Sequence, residues 1–81
     1  MPRLPRAKAE EHVKAFERAG WKVVRVTGSH YILAKEGQDF HLTIPFHKGR
    51  DVKVGLLKGL IRDAGLTNEA YLDLFYRQKK R

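Results

Sequence analysis

The chain has 81 residues, no cysteine, and 17 Lys and Arg against 9 Asp and Glu, for a formal charge of +8. The missing cysteines exclude a disulfide framework and a thiolate metal site, and no apolar run approaches the roughly 18–20 residues of a membrane span. A composition that is 42% hydrophobic with eight aromatic residues excludes a disordered chain.

The length predicts one domain, 1–81, with a small core. The opening MPRLPRAKAEE is basic and then acidic, without an apolar stretch. A secretory signal is therefore not expected, and the expected location is cytoplasmic. A pI of about 10.1 on so small a chain predicts attraction to polyanions, nucleic acid first among them.

Ala9, Val13, Phe16 and Ala19 recur at helical spacing, with Pro5 before them, acids early, bases late and Gly20 placed to stop the turn. This predicts a first helix over about 7–19. WKVVRV (21–26) and HYILAK (30–35) are rich in strand formers and flank the turn Thr27-Gly28-Ser29. EGQD makes a second turn. FHLTI (40–44) alternates as a third strand, which Pro45 ends. An irregular basic connection, FHKGRDVKV (46–54), leads to a second helix near Gly55, with Leu57, Leu60, Ile61 and Ala64 on one face and Gly65 as its stop. Thr67 is placed to cap a last helix with the stripe Tyr71, Leu74 and Phe75. The predicted fold is α+β, in the order α-β-β-β-α-α, with the helices on one face of a three-stranded antiparallel sheet. The other face is left for water or a ligand.

With these elements in place, AGW (19–21), GSH (28–30), IPFH (44–47) and GLLKGLIRDAGL (55–66) stand out. In order and spacing, across about residues 8–66, the chain resembles the HicA toxin family of bacterial and archaeal toxin–antitoxin modules. Trp21 stands where the family more often has Phe. Leu56 stands where Thr commonly follows the glycine, which removes a helix-capping hydroxyl. Residues 67–81 lie outside the resemblance. The resemblance implies a fold similar to the double-stranded-RNA-binding domain and an endoribonuclease that cuts messenger RNA. It also implies a HicB-type antitoxin as partner, and His30, the histidine of GSH, as the catalytic residue.

A ribonuclease without a metal needs a base for the 2′-OH, an acid for the departing 5′ oxygen, and cations for the phosphate. Histidine suits the proton roles, with an ordinary pKa of about 6.5. No Asp, Glu and His spacing suggests a metal site, and no cofactor is expected.

Each candidate has a plainer reading. His30 alone reads as well as a histidine packed on a turn. Ser29 either orients RNA or completes the turn. Gly28 either supplies φ > 0 or admits a phosphate to the backbone, and the first suffices. His47, beside Lys48 and Arg50, suits phosphate binding or a second proton transfer, or is an idle loop residue. His12 and His41 read as surface residues. The Gly55-x-x-x-Gly59 spacing predicts close packing of the helix on the sheet. The terminal RQKKR is either an RNA grip or a solvated helix end. Two other functions fit the composition: a module that binds structured RNA without cutting it, and a structural protein of a basic assembly. Neither requires a proton carrier at position 30.

Overall fold

The computed structural model describes residues 3–77. The elements run α1 (Ala9–Arg18), β1 (Lys22–Val26), β2 (His30–Ala34), β3 (Leu42–Pro45), α2 (Val54–Asp63) and α3 (Asn68–Tyr76). The expected α-β-β-β-α-α order is present. The strands form one antiparallel sheet in the order β1-β2-β3. No helix among the described residues is long and apolar enough to cross a membrane.

The core follows from two periodicities. On β2, Leu33 is buried, paired with Val23 on one side and with buried Leu42 on the other. Tyr31 pairs with buried Ile44. Phe16 of α1, Leu57 and Ile61 of α2 and Tyr71 of α3 complete the interior with Trp21. Burying a side chain of this size fully contributes about 1.5–3 kcal/mol.

Several boundaries differ from expectation, each for a local reason. The first helix begins at Ala9 rather than residue 7, because the Ala7 carbonyl accepts from the Val52 N–H at 2.9 Å and is tied to the later connection. The third strand begins at Leu42, because Phe40 packs against the Trp21 ring, centroids 5.7 Å apart, instead of joining the ladder. Pro45 is the last residue of β3 and lies opposite His30, tolerated because β3 is an edge strand. The second helix starts at Val54, after Lys53, without a side-chain cap. Thr67 does cap α3, its hydroxyl accepting from the Ala70 N–H at 3.0 Å.

The close packing expected at Gly55 and Gly59 is not found. A Cβ at Gly55 would meet nothing within 4 Å, and one at Gly59 only the tip of Arg62 at 3.9 Å. The helix approaches the core through Leu57, Leu60 and Ile61 instead. At the other end of the chain, Arg77 pairs with Asp73 one turn earlier; residues 78–81 of the basic terminus lie outside the described residues.

His12 is not on the surface. It is fully buried between α1 and α3, its Nδ1 hydrogen-bonded to the Tyr71 hydroxyl and its ring 5.3 Å from that of Phe75. Arg18 adds a second tie, donating to the Leu74 carbonyl at 3.0 Å. Burial pushes the His12 pKa down to about 4, against the opposing pull of Asp51 and Glu11. Burial also drives the Tyr71 phenol far above its ordinary value. The imidazole is therefore neutral in the folded protein at neutral pH.

A stability prediction follows from that difference. Between about pH 4 and 6.5 the unfolded chain binds a proton at His12 that the folded chain excludes. The stabilisation is complete above about pH 6.5 and lost as pH falls toward 4, by on the order of 3 kcal/mol. Urea unfolding of wild type and His12→Gln at pH 7 and 4.5 measures it. The glutamine variant, which still offers Tyr71 an acceptor, should lose less stability on acidification than wild type.

Candidate functional site

The turn between β1 and β2 is closed by a side chain. The Thr27 N–H donates to the His30 carbonyl at 2.9 Å. In return the His30 N–H donates to Thr27 Oγ1 at 2.9 Å, and the Ser29 N–H reaches the same oxygen at 3.3 Å. The threonine hydroxyl thus serves as the acceptor that a carbonyl supplies in an ordinary turn. No turn residue here needs the left-handed region: the positive-φ residues described are Gly20, Gly37, Gly49 and Gly65. The expectation that Gly28 supplies φ > 0 is therefore corrected. Among the described residues, a Cβ at Gly28 would also meet nothing within 4 Å.

His30 is the first residue of β2, the central strand. Strand alternation sets it apart from Tyr31 and Leu33, which turn toward the helices. It stands with Ile32 and Ala34 on the uncovered face. Its ring is half-buried, and Nδ1 lies 3.0 Å from Ser29 Oγ. That contact leaves Nε2 without a hydrogen-bond partner among the described residues.

The ladder continues one step past Pro45, where the Phe46 N–H donates to the Ser29 carbonyl at 2.9 Å. This bond ties the basic connection to the GSH turn. The Phe46 ring packs on Tyr31, centroids 4.7 Å apart, and the Tyr31 hydroxyl reaches Glu10 of α1 at 3.3 Å. The chain then reverses over His47–Arg50, closed by the Arg50 N–H on the His47 carbonyl at 2.9 Å. Gly49, with φ 76°, stands where a type II turn needs glycine. His47, Lys48 and Arg50 are exposed, and they line a depression shared with Lys8 and Glu10 at the start of α1.

The fold thus joins Ser29 to His30 directly and brings Phe46 against Ser29. His47 sits next along the chain, with no hydrogen bond to His30. Lys48 and Arg50 face the start of α1. The sheet also contributes a cation that strand alternation conceals. The pairing jumps from Val23↔Leu33 to Arg25↔Ile32, a bulge at Val24. Arg25 is thereby turned to the uncovered face, where it lines a shallow depression with Val24, Ile32, His41 and Thr43. A run of WKVVRV carries no signal for a bulge. The role of Thr27 had a faint one, a threonine three residues before the histidine in a tight turn. No three His, Asp or Glu side chains among the described residues are grouped so as to hold a metal ion.

A small basic α+β domain, with a histidine set at a hairpin on an open sheet face, is the class of protein that fold and site define. Residues 9–66 match the family model described as the HicA toxin of bacterial toxin–antitoxin systems. The chain belongs to the HicA toxin family. No curated protein matches it.

The two turn residues separate by substitution. Thr27→Val removes the acceptor of two N–H groups and should cost about 1 kcal/mol, with faster amide exchange at Ser29 and His30. Gly28→Ala, free of steric conflict, should leave stability unchanged or raise it by up to about 1 kcal/mol. Thermal unfolding and amide exchange of the two variants check both outcomes.

Proposed function

We propose that this protein is the toxin of a toxin–antitoxin module, an endoribonuclease that cuts messenger RNA in the cytoplasm without a metal and is held inactive by a HicB-type antitoxin. The observation that carries the reading is the placing of His30. Its backbone is locked by Thr27, its Nδ1 is engaged by Ser29, and its Nε2, at the edge of the sheet face away from the helices, has no partner among the described residues.

In this reading Nε2 takes the proton from a 2′-OH. O2′ bonds to phosphorus as the P–O5′ bond breaks, and the 5′ oxygen leaves with a proton drawn from His47 or water. Ser29 orients the imidazole through Nδ1. Lys48 and Arg50 bind neighbouring phosphates, with Arg25 added from the sheet, and stabilise charge as it grows. Gly28 serves the RNA rather than the fold. Its conformation is open to other residues and the space above it is empty, which suits close passage of a phosphate over the backbone. An antitoxin that silences this site covers the GSH turn and the 46–50 loop together, since the β2–β3 ladder and the Phe46–Ser29 bond that extends it hold them side by side.

His30→Ala should abolish RNA cleavage and growth arrest while the protein still folds and still binds RNA. Loss of one proton-transfer group costs about 10²–10⁴ in rate. Wild-type cleavage should persist in EDTA and leave a 2′,3′-cyclic phosphate and a 5′-OH. The assay is cleavage of a labelled RNA with product-end analysis, beside circular dichroism of each variant. Normal cleavage by His30→Ala would remove His30 from the chemistry. RNA binding by wild type without cleavage would leave a binding module.

A further inference from the structure

A broad concave surface lies away from His30, on the helical side. It is an open groove of about 760 Å³ between the N-terminal segment, the start of α2 and the two ends of α3. Its breadth suits an extended ligand lying along the surface rather than a single ion. Arg3 and Arg6 line it from the segment, Lys58 from α2, and Asn68 and Tyr76 from the two ends of α3. None of these belongs to the sheet, and only Lys58 falls within the residues that match the family.

The groove is a constructed feature of this chain. Buried Leu4 anchors the segment in the core, and the Val52 N–H holds it at the Ala7 carbonyl. Arg3 and Arg6 are exposed on either side of that anchor. Neither they nor Lys58 make an ion pair or side-chain hydrogen bond among the described residues. Among the described residues no acid lines the groove; Asp51 lines the adjoining depression beside Arg6. Tyr76 is 55% exposed, held edge-on by Phe75, centroids 5.0 Å apart, so its ring is steadied without being covered.

We propose that this groove binds a single-stranded segment of RNA, as a second contact distinct from the cleavage site. Three cations with no acid among them match a run of phosphates, and a steadied, exposed tyrosine at one end matches a stacked base. Along α3, Asn68 and Tyr76 are about 12 Å apart at 1.5 Å per residue. A groove of that length takes a short run of nucleotides rather than a single one. An acidic protein would satisfy the cations but has no particular use for the ring. The identity of the ligand rests on the RNA chemistry proposed above, whereas the groove does not depend on cleavage.

The test uses the full chain carrying His30→Ala, so that RNA is not consumed, and follows the anisotropy of a labelled, unstructured oligoribonucleotide across a salt series. Adding Arg3→Gln, Arg6→Gln and Lys58→Gln should flatten the slope of log affinity against log salt by about 2, from roughly 0.7 per phosphate contact. Tyr76→Ala should weaken binding about 5- to 100-fold with the slope unchanged. Lys14→Gln, Lys35→Gln and Arg62→Gln together remove the same charge elsewhere and should change the slope far less. Equal effects of the two triple variants would show a diffuse field and overturn the groove. So would unaltered RNA binding by the groove variants, including the case in which they lose affinity for an acidic protein partner instead. In that event normal cleavage with His30 restored would leave the ribonuclease reading standing. Conversely, groove-dependent binding by a protein that never cuts RNA would support the groove and remove the ribonuclease reading alone. No RNA binding by the His30→Ala parent at any salt would overturn both.

Discussion

The arrangement depends on the alternation of one strand. β2 is paired on both edges, and Tyr31 and Leu33 are turned toward the helices, Leu33 fully buried. A strand whose odd residues are committed to a core must present its even residues to the other side. His30, Ile32 and Ala34 are therefore held on the uncovered face by the burial of their neighbours. A slip of one residue would bury the histidine and expose Leu33, so the stability of the core and the presentation of His30 are one constraint.

The same strand organises the loops. Its first residue is clamped by the Thr27 hydroxyl, and the carbonyl just before it receives the Phe46 N–H. Two segments separated by more than a dozen residues become adjacent through the β2–β3 ladder, which that backbone bond extends by one step. Phe46 against Tyr31, and Tyr31 against Glu10, carry the contact on to α1. The basic connection consequently leaves the sheet beside the hairpin and passes the start of α1.

The helical side has a different logic. α3 lies beyond the residues that match the family, yet it is bound into the core. Tyr71 inserts its ring beside Phe16 and its hydroxyl against His12, and Arg18 reaches across to Leu74. A buried imidazole bonded at Nδ1, whose Nε2 has no partner among the described residues, is a costly core component. It is accommodated because the ring is neutral and packed among aromatic groups. The attachment of α3 in turn creates one wall of the cationic groove, so the extra helix supplies both core and surface.

The kinds and order of the elements were legible in the amino-acid sequence, because helical and strand periodicities, caps and turn residues are local. The stripe Tyr71, Leu74 and Phe75, the cap at Thr67 and the stop at Gly65 lie where their spacing put them. The motif residues of the candidate site could likewise be named from their order along the chain. Contacts between distant residues were not legible. His12 shares the spacing of Ala9, Val13 and Phe16, but burying it required a hydroxyl 59 residues away. Arg25 faces outward only because a bulge shifts the strand's phase, and a bulge is decided by pairing with β2. Gly28 needs no special conformation, because the hydroxyl of neighbouring Thr27 closes the turn. The burial of His12 and the outward face of Arg25 follow from tertiary contacts, since each depends on a segment that arrives only once the chain has closed on itself, whereas the Thr27 closure is local.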